Sequence, residues 1–284
     1  MVRCLLICFF LLAPGLASAN DRLQALEQTA CQGLNLQPGL ERYSARIVSV
    51  QVADMLHELT AETPAPPAPS LIMYRQCGKP GLVTTLNEPA DPVGQQIADH
   101  FAKILSSVLE RTLIPEGRSE LRRRIADRAD IKTADTLLGQ TLLKRIELTF
   151  ETPVALQEAF YTRDLPLPQE SIAKLYFDIE DGTRTIQEVG LLTADGLKLT
   201  MEMRYHQVPG GFMPERIKIT SQDGRIDDLL EITYKEIGGF SLPASITQIM
   251  RRPGQQENLA ATLEDHQINQ PFPENIRRRF ELQQ

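Results

Sequence analysis

The sequence contains no tryptophan, and aromatic residues make up only 6% of it. That scarcity argues against a membrane-spanning β-barrel, which carries aromatic girdles at both lipid interfaces. Positive charge is also short. The 30 basic residues face 37 acidic ones, for a formal net charge of −7, so the electrostatic footprint of a nucleic-acid binder is missing. No apolar run is long enough for a membrane span; the best, from Leu5 to Ala13, is too short. Catalytic signatures are lacking as well. There is no G-x-S-x-G elbow and no P-loop, and His57-Glu58-Leu59-Thr60-Ala61 ends without the second histidine of a zincin. His100, His206 and His266 stand at helix or strand positions that read as solvated, and Asp99-His100 diverge around a helix axis. Enzyme classes are therefore weakly supported, an esterase assembled from distant residues included. No cofactor and no metal set is expected.

Cysteine is sparse too, with four in the chain. Two of them, Cys4 and Cys8, fall in a stretch that reads as a secretory signal. Arg3 supplies the positive start, Leu5 to Ala13 the apolar centre, and Ala17-Ser18-Ala19 the cleavage site. Cleavage after Ala19 removes one more positive charge and leaves no cysteine at the new terminus for acylation. Cys31 and Cys77 remain. In an oxidising compartment such a pair reads as one disulfide, worth about 4 kcal/mol on a chain-entropy argument. Two buried free thiols are the other reading.

Turn chemistry is abundant and evenly spaced. Asp181-Gly182, Asp195-Gly196, Gly210-Gly211, Asp223-Gly224, Gly238-Gly239 and Pro253-Gly254 punctuate alternating runs from Lys174 onward. These pairs accept the positive φ of hairpin turns, which predicts an antiparallel meander of long strands. Two turns carry one phrase, Gly210-Gly211-Phe212-Met213-Pro214 and Gly238-Gly239-Phe240-Ser241-Leu242-Pro243. The proline is expected to open the next strand, where a missing N–H is tolerated. Leu199, Met201, Met203 and Tyr205 point one way, with Lys198, Thr200, Glu202, Arg204 and His206 opposite. Ile217 and Ile219 oppose Arg216 and Lys218, while Leu230, Ile232 and Tyr234 oppose Glu231 and Thr233. One face of this sheet is buried and one is solvated. Long, wide sheets twist and curl, so the buried face is concave.

Upstream, periodicity predicts a helix over 21–36 and strands over 42–52, 71–76 and 82–86. Thr63-Pro64-Ala65-Pro66-Pro67-Ala68-Pro69 reads as a stiff, exposed connection. Val93, Ile97, Phe101, Ile104, Leu105 and Val108 then recur at helical spacing. A charged helix follows from Ser119 to Arg128. Its Arg122-Arg123-Arg124 cluster reads as a solvated face paired with Glu120 and Asp127, with an anionic headgroup as the other reading. The expected architecture is α+β, a long antiparallel sheet curled into an incomplete barrel with helices packed on the concave face. It forms one domain, 20–284, with a helical insertion at about 91–141.

Several marks join this element order. They are the step Lys79-Pro80-Gly81-Leu82-Val83, the Pro-x-x-Ile strand starts at Pro214 and Pro243, and the ending Asn269-Gln270-Pro271-Phe272-Pro273. Together they resemble the LolA-like family of periplasmic lipoprotein carriers, over most of the chain. The resemblance implies a periplasmic, non-catalytic carrier that holds a lipid or the acyl group of a lipoprotein in its cavity. Lys79 sits at the step where the family often places an important basic residue near the rim. An inner- or outer-membrane protein would be the partner. On this reading Leu199, Met201, Met203, Tyr205, Ile217, Ile219, Leu230, Ile232 and Tyr234 line the ligand cavity, where each buried CH₂ is worth about 0.8 kcal/mol. The plain alternative makes the same residues core. A further branch of the superfamily, the RseB type, implies instead an envelope-stress sensor or regulatory subunit.

Overall fold

The computed structural model describes residues 19–30, 37–49, 71–77, 82–86, 96, 99–100, 103–104, 108–109, 113–115 and 117–282. Helix α1 (Ala19–Ala30) precedes β1 (Arg42–Val48), β2 (Leu71–Gln76) and β3 (Leu82–Leu86). Then come α2 (Ser119–Ala126), β4 (Ala129–Leu138), β5 (Thr141–Val154), β6 (Ile172–Glu180) and β7 (Ile186–Thr193). The meander continues through β8 (Lys198–Val208), β9 (Gly211–Ser221), β10 (Asp227–Ile237), β11 (Phe240–Arg252) and β12 (Gln255–Ile268), and α3 (Glu274–Leu282) closes it. All twelve strands form one antiparallel sheet in the order β3-β2-β1-β12-β11-β10-β9-β8-β7-β6-β5-β4. Strands β3 and β4 stay at the edges, so the sheet is not closed into a barrel. Among the described residues no helix is long and apolar enough to cross a membrane.

The first strand joins the last. Tyr43 pairs with Ile268, and Asn269 fastens the junction by accepting from the N–H groups of Glu41 (2.9 Å) and Arg42 (3.2 Å) and donating to the Gly39 carbonyl (2.8 Å). The inward residues of β1, β2, β5–β12, α1 and α2 belong to a single apolar cluster, which requires the sheet to curl. The solvated face carries cross-strand ion pairs such as Lys174–Glu147 (2.8 Å) and Arg251–Asp227 (2.9 Å).

The phrase repeated in the β8–β9 and β10–β11 hairpins places its proline at a β-bulge rather than at a strand start. Tyr205 pairs with Pro214 where β9 carries the extra residue Glu215, and Tyr234 pairs with Pro243 where β11 carries Ala244. A bulge interrupts the ladder, so a residue without an N–H is tolerated there. In the second hairpin Gly238 and Gly239 both take positive φ (59° and 83°), the turn that the sequence predicts.

Three expectations are corrected. The helical insertion ends at Ala126, because Ala129–Leu138 is an edge strand. Beyond Ile131 both faces of β4 are mostly exposed, which removes the alternation that reveals inner strands. Residues 155–171 are an irregular segment that sinks Leu156, Phe160, Tyr161 and Leu165 into the core. That segment, with α1 and α2, fills much of the concave face. Helix α3 packs on the opposite face, where Ile276 and Phe280 meet Tyr74 and Val83. Neighbouring residues on β2, Leu71 and Met73, point into the main core instead.

The last correction concerns Arg122, which is buried, not solvated, with 1% of its surface exposed. Its guanidinium grips Glu27 of α1 through both carboxylate oxygens (2.8 Å each) and donates to the carbonyls of Pro115 and Ala159 (2.8 Å each). One side chain thus ties α1, α2 and the 155–171 segment together. Arg123 does pair on the surface with Glu120 (2.8 Å).

On the outer face, the Tyr176 ring covers Gly190 across the β6–β7 ladder. It is held there by Arg145 (4.0 Å to the ring centre) and by a 2.6 Å bond to Glu188. A Cβ at Gly190 would come within 1.9 Å of the ring. Gly190→Ala is therefore expected to expel Tyr176 and lower stability by about 1–3 kcal/mol. Gly190→Ala combined with Tyr176→Ala should recover part of that loss in urea unfolding. Equal stability of Gly190→Ala and wild type would contradict the packing described.

Candidate functional site

Strands β1, β2, β9, β10 and β11 converge on a small cleft. It is lined by Tyr43, Arg75, Met213, Pro214, Ile217, Ile232, Tyr234 and Pro243, with Val108 and Leu109 laid against them. Tyr43 and Arg75 are neighbours across the β1–β2 ladder. Both bulge prolines contribute, so the irregular rungs of the two hairpins shape the site. The Tyr234 hydroxyl donates to the Pro214 carbonyl (2.7 Å), which pins one hairpin to the next. Burial drives the Tyr234 phenol well above its ordinary pKa, so it stays a neutral donor. His206 stacks on the Tyr234 ring (centroids 5.0 Å apart, planes 9° apart) and bonds Ser241 Oγ at 3.0 Å.

The room inside is about 40 Å³. A water molecule's share of the liquid is about 30 Å³, and small-molecule sites run to roughly 300 Å³ or more. In this structure the cleft has room for solvent at most, with Val108 and Leu109 forming part of its wall. Among the described residues that line it, Arg75 alone carries a charge, and it is only 8% exposed. The lining thus mixes the aliphatic side chains of Met213, Pro214, Ile217, Ile232 and Pro243 with a guanidinium and two tyrosines.

Of the residues that the sequence singled out for a ligand, the cleft brings together Ile217, Ile232 and Tyr234. Leu199, Met201, Met203, Ile219 and Leu230 share their face but are packed into the core, with no space beside them that the cleft includes. The Tyr205 hydroxyl donates to the Ile186 carbonyl (2.8 Å) and touches the Met203 sulfur (3.3 Å). Lys79 and Cys31 lie outside the described residues, as do residues 1–18 of the expected 1–19 signal segment, the His57-Glu58 pair and the 63–69 connection. Cys77 carries a free thiol here, half-buried, with its pKa raised by that burial. The expected bridge to Cys31 involves a residue outside the described ones. His100 is exposed as expected, whereas His206 and His266 are half-buried. His266 bonds the Pro243 carbonyl (2.9 Å), and burial lowers its pKa.

Sequence reasoning missed Arg75 as a site residue. Its signal was a basic residue inside the otherwise uncharged strand Leu71–Gln76, next to the Lys79 step. It also missed Met213 and the two prolines, which were read as turn residues. Among the described residues, no group of His, Cys, Asp or Glu is arranged to hold a metal ion.

No protein-family model matches the chain, and no curated protein matches it. Several solved structures are similar to it. One is a putative outer membrane lipoprotein-sorting protein domain from Vibrio parahaemolyticus, at 9% identity and a TM-score of 0.36, spanning 94% of this chain and 100% of that one. Another is a LolA superfamily protein from Nitrosomonas europaea, at 9% identity and a TM-score of 0.32, spanning 89% of this chain and 96% of that one. The MucA/MucB complex of Pseudomonas aeruginosa also matches, at 9% identity and a TM-score of 0.22, spanning 93% of this chain and 97% of that one. At such distances function has to be read from this chain's own residues.

Proposed function

We propose that the protein is a non-catalytic, periplasmic binding or carrier protein for an amphiphile with an acyl chain and an anionic head. The observation that carries this reading is the cleft itself, a mixed groove on the inner face of the curled sheet where Met213, Pro214, Ile217 and Ile232 stand beside the Arg75 guanidinium. Ile217, Ile232, Met213 and Pro214 would contact hydrocarbon, and Arg75 the head. An acyl chain longer than the cleft would have to displace Val108 and Leu109 to enter. Each CH₂ that replaces them contributes about 0.8 kcal/mol, which offsets the loss of their packing once the chain is long. The acyl group of a lipoprotein and a free lipid satisfy this chemistry equally.

A fluorescent long-chain fatty acid titrated into purified protein tests the reading. Saturable binding is expected, tightened by Leu109→Ala, which opens the cleft. Arg75→Gln should weaken binding of the acid by about 10-fold, the worth of one charge-assisted hydrogen bond, and leave the matching alcohol unchanged. Absence of saturable binding to both wild type and Leu109→Ala would end the carrier reading.

A further inference from the structure

The hairpin formed by β4 and β5 extends beyond the rest of the sheet. The outermost rung that joins β5 to β6 is Leu143 with Glu180. Past that rung, Leu137 pairs with Leu142 and Leu138 with Thr141, joined by the turn at Gly139 (φ 62°) and Gln140. This tip carries three of the few large apolar side chains that the fold leaves exposed: Leu137 at 67%, Leu138 at 52% and Leu142 at 58%. The run 137–143 contains no charge, and the first charged pair, Asp135 with Lys144, stands below it.

We infer that this tip is a membrane-docking element that inserts its leucines into the interfacial region of a lipid bilayer. Three features select a bilayer over a protein partner. Leu137 and Leu142 share one face of the ribbon while Leu138 lies on the other beside Thr141, so the tip presents leucine on both faces, as immersion requires and docking on a surface does not. Three side chains on a narrow projection fall far short of the roughly 800 Å² per partner that a stable protein interface buries. The ribbon also satisfies much of its own backbone through the Leu137–Leu142 and Leu138–Thr141 rungs, which makes shallow entry into lipid affordable. The charged rung at Asp135 and Lys144 sets the depth. Such an anchor is weak and reversible. It stands apart from the cleft, which the hairpin does not line.

The absence of native tryptophan makes a clean test available. Gln140→Trp places one indole at the tip, and Gln222→Trp places one in the β9–β10 connection as a control. With zwitterionic vesicles of phosphatidylethanolamine and phosphatidylcholine, the Gln140→Trp protein should shift its emission to the blue and be quenched by brominated acyl chains. The control should do neither. Adding Leu137→Asp and Leu142→Asp should cut partitioning at least tenfold with the melting temperature unchanged, because neither side chain is packed. Three results would overturn the inference. One is no spectral change at millimolar lipid, and another is equal quenching of the control. The third is a lipid-independent shift that tracks self-association and disappears in the double aspartate variant, which would make the tip a contact between copies of the chain.

Discussion

Arg122→Ala should lower the stability of the protein by about 3–5 kcal/mol, the usual cost of removing one partner of a buried ion pair. The loss has two parts. Glu27 keeps 35% of its side chain exposed and can rehydrate, so the abandoned carboxylate is the smaller part. The carbonyls of Pro115 and Ala159 lose their shared donor in a closed interior, and that is the larger part. Glu27→Gln keeps both carbonyl bonds and should cost about 1–2 kcal/mol. Arg122→Lys should resemble the alanine variant, since an ammonium cannot span the fork. Urea unfolding monitored by circular dichroism gives the comparison. If Arg122→Ala and Glu27→Gln unfold at the same denaturant concentration, the carbonyl bonds do not matter and the three-way staple is refuted.

Met203→Asp should abolish folding. Met203 is 5% exposed, sits in the continuous core of the concave face, and meets the Tyr205 hydroxyl at its sulfur. A carboxylate there would be buried among the apolar side chains of that core, which costs several kcal/mol, a large share of a domain's stability. The alternative in which this face lines an open cavity predicts the reverse, a folded protein that merely loses its ligand. Thermal melting of the purified variant separates the two. A cooperative transition near that of wild type would mean that the face is solvated, and the packing described around Met203 would be wrong.

The meander was legible because its information is local. Alternation in Leu199 to Tyr205 and in Leu230 to Tyr234, with glycine pairs between, specifies strands, faces and turns residue by residue. The structure reproduces them, with Leu199, Met201, Ile219 and Leu230 buried and Lys198, Glu202 and Arg204 exposed. Where a strand has no buried face the signal fails. Strand β4 keeps only Ile131 inside, so no period of two remains to be read. Helix α3 was missed because its buried apolar residues, Ile276 and Phe280, are only two among charges. They mean something only opposite Tyr74 and Val83, which lie nearly two hundred residues away in the chain.

The site was less legible than the fold. Ile217, Ile232 and Tyr234 could be placed on the correct face, but which part of that face stays unfilled depends on what lies against it. The 155–171 segment, α1 and α2 fill much of the curl, and a cleft remains where Val108 and Leu109 meet the bulged rungs at Pro214 and Pro243. Arg122 shows the same division. Three consecutive arginines on a short helix carry one sequence signature, yet Arg123 pairs on the surface while Arg122 is swallowed by α1 and the loop after β5. The sequence alone determined the strands of the meander, their faces and the hairpin turns, since each rests on neighbours a few positions apart and on the backbone freedom of glycine. Tertiary structure decided which inward residues became core, which lined space, and which arginine was buried, because those outcomes depend on surfaces that only the folded chain brings together.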